Sequence, residues 1–281
     1  ARRPWDARAH SGEVDRILHA FAIPATVGNA ARGDGTVFIV SLPRAGSTLA
    51  EQILAAHPVV AAGDERLDAL DVLGAESQRR GKPLAEWAPH ASETDWARLG
   101  DEYLARTAPV RGDARVFTDK LPSNWIVVGA LFAMLPGARV VECRRDRVEV
   151  AWSCFTQLFA NGTQDFSHDF ASIAAFTADY DRAMRHWHQR FPLRIHTQTF
   201  EALLDDPATQ IRALLEFCGL AFEPACLRFH EHRRSVRTLS ASQVREPLRR
   251  DTARAHKYGA LLDPLRDALG LARFKKPDDA I

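Results

Sequence analysis

No stretch of this chain stays apolar for the roughly 18–20 residues that a membrane-spanning helix requires. Cysteine is scarce. The four present, Cys143, Cys154, Cys218 and Cys226, include no CxxC pair, and none stands near a histidine at zinc-finger spacing. They are expected as buried free thiols, because a chain of this size does not depend on disulfides. An excess of either charge is also missing. Lys and Arg number 37 against 36 Asp and Glu, a net charge of +1, so no bulk field recruits nucleic acid and any anion site must come from local clustering. Repeats and low-complexity segments are absent. The opening ARRPWDARAHSGEVDR lacks the apolar middle of a secretory leader and has no initiating Met, which reads as a processed or trimmed chain. A cytoplasmic enzyme is the expectation.

What is present is alternation. The 281 residues, 46% hydrophobic and 26% charged, suit one large or two small α/β domains. A short helical pattern (GEVDRILHAFAI) and a polar loop (GNAARGDG) make residues 1–34 an N-terminal extension. Four strand candidates follow: TVFIVSL, RVFTDK, ARVVECR and LRIHTQTF. Helical patterns lie between and after them. STLAEQILAAHP follows the first strand, and residues 66–108 read as partly exposed helix, clearest at DWARLGDEYLARTA. SNWIVVGALFAMLPGA reads as a helix capped by Ser123 or Asn124 and stopped by Pro136-Gly137. DRVEVAWSCFTQLF starts at Asp146, which suits the positive end of a helix dipole, and FASIAAFTADYDRAMRHWHQRF is a long helix. DDPATQIRALLEFCGL has Asp206 as N-cap, Pro207 in its first turn and Gly219 at its close. EPACLRFHE and LLDPLRDALG are short helices, and the Arg- and Ser-rich segment between them is surface loop or short helix. The fold class is therefore α/β, a three-layer P-loop-like domain over residues 35–272 with a mostly parallel central sheet flanked by helices, and a tail at 273–281. Ligands of such sheets sit at the carboxyl ends of the strands.

The junction after the first strand carries the chemistry. Pro43-Arg44-Ala45-Gly46-Ser47-Thr48 turns straight into a helix. Such a turn offers unpaired backbone N–H groups and the positive end of the helix dipole. Gly46 lets an anion come close to the backbone, Ser47 and Thr48 offer hydroxyls, and Arg44 brings bidentate charge. It is not a Walker A loop, GxxxxGK[ST], because Ser41 holds the first glycine position and Ser47 the lysine position. The other reading is an ordinary strand–helix turn.

The segment SLPRAGSTLAEQILAAHP resembles the 5′-phosphosulfate loop of the sulfotransferase family. It is most similar to the branch with the bacterial tetratricopeptide-repeat sulfotransferases and the protein-tyrosine sulfotransferases. The likeness spans about Val37 to Leu269. It implies 3′-phosphoadenosine-5′-phosphosulfate as donor, with Arg44, Ala45, Gly46, Ser47 and Thr48 on its 5′ end, and an acceptor hydroxyl on protein tyrosine, carbohydrate or a small molecule. It also implies a second anion site. Arg145 at a strand end and Ser153 eight residues on match the family's 3′-phosphate pair, with Arg147 where the family often has proline. The other reading of Arg144, Arg145 and Arg147 is a solvated strand end. VRTLSASQVREP resembles the segment that closes over the donor, placing Ser240 near the phosphosulfate and Arg254 or Lys257 near the 3′-phosphate. Arg245, Arg249 and Arg250 are further cations of this loop.

By the same likeness Glu65 is the general base, Lys120 contacts the leaving phosphate, and Lys120 and Arg44 stabilise the charge that builds on it. Asp64 competes with Glu65, and a helix-capping acid is the alternative role. Trp125 has two readings, a ring on the adenine or a core ring. His186 and His188, like His230 and His232, are two apart and face different sides, so no metal is expected, and the implied reaction requires none. A nucleotide-dependent kinase and a non-catalytic nucleotide-binding module are the rival readings, and a homodimer is compatible with the sequence.

Overall fold

The computed structural model describes residues 5–22, 29–159, 164–232, 243–249 and 253–275. A five-stranded sheet of β1 (Thr36–Ser41), β2 (Val60–Ala62), β3 (Val116–Lys120), β4 (Arg139–Arg144) and β5 (Ile195–Thr199) lies at its centre. The order is β2-β3-β1-β4-β5, and each pairing is parallel. All six residues of β1 are buried, because both faces of the central strand are covered. Phe38 and Val40 enter one core, and Val37 and Ile39 enter the other.

The first core lies under α1 (Ala7–Ala20), α3 (Asp68–Arg80), α5 (Glu93–Arg111), α6 (Val128–Met134), α8 (Phe170–Arg190) and α11 (Asp263–Ala268). The short α4 (Leu84–Trp87) adds Trp87, and α7 (Arg147–Phe155) adds Val148, Val150 and Ala151. The second core lies under α2 (Ser47–Ala55), α9 (Phe200–Asp205), α10 (Pro207–Phe217) and the 3₁₀ segment Pro224–Glu231. Val14, Ile17, Leu18 and Phe21 of the N-terminal helix are buried in the first core, so this part of the extension packs into the domain against α8 and α4. All four cysteines are free and buried. Among the described residues no helix is long and apolar enough to cross a membrane.

Several local expectations hold. The Asp146 side chain accepts from the Glu149 N–H at 2.9 Å, and that of Asp206 from the Thr209 N–H at 3.1 Å, each at the head of its helix. Gly219, with φ 72°, follows α10. Other features differ. A fifth strand, β2, is an edge strand of three half-buried residues, too short to show alternation. The segment after Leu121 is a 3₁₀ turn at Pro122–Val127 leading into α6, and neither Ser123 nor Asn124 caps it. Asn124 is instead buried, its Nδ2 facing Asp119 Oδ1 at 3.5 Å. Trp125 is fully buried, with Phe176 and Tyr180 edge-on to it, and is a core ring rather than an open platform.

Candidate active site

The strand order reverses at β1: the chain leaves β1 toward β3 and β2, then returns past it to β4 and β5. In open parallel sheets ligands bind beside such a reversal, at the carboxyl ends of the strands, here β1 and β4. Three candidate groups stand along this edge, Lys120 at the end of β3, the turn after β1, and Arg145 just past β4. With strands about 4.8 Å apart, the three fall within roughly 10 Å across the sheet.

The turn itself carries backbone strain. Arg44 has φ 68°, a left-handed conformation that costs a non-glycine residue about 1–2 kcal/mol. Gly46, with φ 103°, is the N-cap of α2, and no side chain caps that helix. A Cβ on Gly46 would stand 3.3 Å from Phe200 Cδ2, so conformation and space both favour glycine. Ser47 and Thr48 are buried in the first turn.

Guanidinium groups gather around this bend. Arg44 Nε donates to Ser153 Oγ on α7 at 3.0 Å. Arg145 lies over the Phe200 ring, 4.5 Å from its centroid, and its NH2 is 3.6 Å from Glu149 Oε2. Phe200 therefore lies beside the Gly46 bend and beneath Arg145. Glu149 in turn accepts from the backbone N–H of Arg254 at 2.9 Å and of Ala255 at 2.8 Å, which docks the late segment beside Arg145. Burial lowers the pKa of Arg44, Cys154 opposes the shift, and the neighbouring Arg145 and Arg254 push it the same way as burial. Arg145 is lowered chiefly by burial too, opposed by Glu149 and aided by Arg254. Both stay cationic at neutral pH, and both would gain from an anion. A chain of net charge +1 thus builds a local positive field.

The second cluster is carboxylate and ammonium. Lys120 is fully buried, and its Nζ donates to Glu65 Oε1 at 2.7 Å, whereas the Glu65 side chain is 46% exposed. A charge taken out of water beside a partner that still reaches solvent can change partners when a substrate arrives. The turn carrying Glu65 is pinned along β3. The Gly63 N–H donates to Thr118 O at 2.8 Å and the Lys120 N–H to Asp64 O at 3.1 Å. A Cβ on Gly63 would come within 2.6 Å of Thr118 O, so a side chain there would push the turn off the strand.

Next to Lys120, on the opposite face of β3, Asp119 is buried and accepts from the Tyr103 hydroxyl at 2.8 Å. Burial raises its pKa to about 7, with the Tyr103 hydrogen bond and Arg66 opposing and Asp68 and Glu51 reinforcing the rise. An unfolded Asp titrates near ~4. Between those values the folded state holds a proton that the unfolded chain does not, so the contribution of Asp119 to stability is fully present below pH ~4 and is lost as pH rises to about 7. The full swing is on the order of 4 kcal/mol. Asp119→Asn, which still accepts from Tyr103, is expected to flatten that fall. Melting temperatures of both proteins between pH 4.5 and 8 check it, and parallel curves would remove Asp119 as the cause.

The structure brings together Arg44, Ala45, Gly46, Ser47, Thr48, Ser153, Arg145 and Arg254, and separately joins Glu65 to Lys120. Asp64 and Glu65 divide their tasks, Asp64 forming the left-handed corner with φ 58° and Glu65 facing Lys120. Lys257 is exposed, one turn past Arg254, with no side-chain contact to the cluster among the described residues. Arg245 and Arg249 are on the exposed surface, while Ser240 and Arg250 lie outside the described residues. Sequence reasoning missed Phe200 beneath Arg145, Glu149 holding the late segment, and the buried Glu51. Glu149 carried a signal, its four-residue spacing from Arg145 on the helix that begins there. His188 is engaged by Glu142 at 2.7 Å, and among the described residues no group of three or more His, Cys, Asp or Glu side chains could hold a metal ion.

A family model described as "Sulfotransferase family" matches residues 36–224. A protein of Aquifex aeolicus (strain VF5), described as uncharacterized, is 32% identical over 98% of this chain, and the chain spans 38% of that relative's length. Among solved structures, the sulfotransferase domain from the Synechococcus PCC 7002 olefin synthase superposes with a TM-score of 0.55 at 17% identity, covering 83% of this chain and 98% of that domain. The sulfotransferase domain from the curacin biosynthetic pathway gives 0.52 at 15% identity, covering 85% of this chain and 99% of that one. These two likenesses speak to the fold.

Proposed function

The chain belongs to the sulfotransferase family, and from that premise we propose that it moves a sulfuryl group from 3′-phosphoadenosine-5′-phosphosulfate to an acceptor hydroxyl. The observation that carries this reading is the Arg44–Ser153 hydrogen bond with Arg145 on the shared Phe200 ring. It makes one continuous cationic seat from an early turn and a midway helix, suited to a nucleotide with anions at both ends of its ribose.

In this reading the Gly46–Thr48 turn and Arg44 hold the 5′ phosphosulfate, and Arg145, Ser153 and Arg254 hold the 3′-phosphate. When bound, the donor supplies the sulfuryl group and a phosphate leaving oxygen. Glu65 Oε1, released from Lys120 by an incoming hydroxyl, takes the hydroxyl proton as the new O–S bond forms. Lys120 meets the negative charge that builds on the departing oxygen as the old S–O bond breaks. Positioning and charge do most of the work, as in phosphoryl transfer. The acceptor is a hydroxyl on protein tyrosine, carbohydrate or a small molecule.

A thermal-shift comparison tests the donor. Adenosine 3′,5′-bisphosphate at a hundredfold excess over its dissociation constant is expected to stabilise the fold by about 2.7 kcal/mol, several degrees of melting temperature. ATP–Mg²⁺ at the same concentration is expected to do much less. Stabilisation by ATP–Mg²⁺ alone would favour a kinase and end this reading.

A further inference from the structure

We infer that Glu51 is a positioning residue for the reaction: its carboxylate, rising from the helix that follows the Gly46 turn, fixes the corner that carries Glu65 and the strand that carries Lys120. The inference rests on the proposed roles of Glu65 and Lys120.

Glu51 is fully buried on α2, one turn past the Ser47-Thr48 pair. A buried carboxylate persists only where donors meet it. Its Oε1 accepts from the Asp64 backbone N–H at 3.1 Å and from Thr118 Oγ1 at 3.1 Å. Asp64 is a non-glycine residue in the left-handed region, φ 58°, a conformation held by its surroundings. Glu65 is the next residue, and its side chain meets Lys120, two residues beyond Thr118 on the same side of β3. One oxygen of Glu51 therefore touches the corner before the base and the strand before the ammonium. It also belongs to the helix whose first turn seats the donor. All three catalytic parts are thereby tied to one rigid element, and a displacement of about 1 Å between such parts can lower a rate a hundredfold.

The test uses the whole chain and three readouts: hydrogen exchange at the Asp64 amide, the transfer rate, and affinity for adenosine 3′,5′-bisphosphate. In Glu51→Ala, exchange at Asp64 is expected to quicken at least about tenfold and kcat to fall about 30-fold. Nucleotide affinity should stay within about threefold. Glu51→Gln keeps an accepting oxygen and is expected to restore slow exchange and kcat to within about fivefold. Unchanged exchange at Asp64 in Glu51→Ala overturns the inference. So does a parallel loss of kcat and nucleotide affinity that Glu51→Gln does not rescue, which marks a merely structural role. Should Glu51→Ala fail to fold, Glu51→Gln and Glu51→Asp decide. The glutamine variant is expected to be active and the shortened aspartate impaired, and equal activity in the two refutes the assignment. A Glu65→Gln protein that keeps full kcat removes the base reading alone, since exchange at Asp64 still decides what Glu51 holds.

Discussion

Replacing Lys120 with Met is expected to lower kcat for transfer about a thousandfold while adenosine 3′,5′-bisphosphate still binds within about tenfold of the parent affinity. Lys120 is fully buried and its Nζ sits 2.7 Å from Glu65 Oε1. Methionine fills nearly the same volume without the charge, so the fold loses a desolvated ammonium rather than a packing contact. Glu65, 46% exposed, is left facing water and not stranded in the core. In the proposed mechanism, what disappears is charge placed where the leaving oxygen becomes negative, worth about 10²–10³ in rate at comparable sites. Glu65→Gln should lower kcat by a similar factor, within the 10²–10⁴ range of a general base. Because the two side chains act on the same event, the double variant is expected to be little slower than the worse single one. Single-turnover rates of the four proteins decide it. A Lys120→Met enzyme within threefold of the parent, or a double variant slowed by the product of the two factors, would falsify the coupled assignment.

Arg145→Ala should weaken adenosine 3′,5′-bisphosphate about a hundredfold and leave adenosine 5′-phosphate within about threefold. The Arg145 side chain is 15% exposed, stacked over Phe200 and 3.6 Å from Glu149, so its charge is already desolvated and oriented. Removing one partner of such a charge pair costs about 2–5 kcal/mol, and about 2.7 kcal/mol is a hundredfold. Glu149 keeps the Arg254 and Ala255 N–H groups, so the late segment should remain docked. Calorimetric titration with both nucleotides measures the ratio, and the parent's preference for the bisphosphate should also weaken with salt. Equal loss for both nucleotides would place Arg145 away from the 3′-phosphate.

Much of this protein could be read from residue order. Alternating strand and helix patterns implied a parallel sheet with both faces covered, and the continuous apolar run at Val37–Val40 reports the central strand's burial on both sides. The glycine and hydroxyls at Gly46–Thr48 marked the tight strand–helix turn that the structure shows, because local backbone demands are written locally. The three-residue β2 escaped, since a strand that short shows no period. Ser123 and Asn124 misled as caps because cap residues are also good turn residues, and a 3₁₀ turn used that stretch instead.

Sequence alone therefore determined the fold class, the strand–helix turn and the residue types gathered at the strand ends. These depend on neighbours within a few positions and on a hydrophobic period. Tertiary structure alone decided which distant groups share a site: Arg44 bonds Ser153, Phe200 joins Gly46 to Arg145, and Glu51 reaches Asp64 and Thr118. Those contacts join residues far apart in the chain. They exist because parallel strands β3, β1 and β4 place their carboxyl ends side by side, an adjacency that strand order sets and chain order does not.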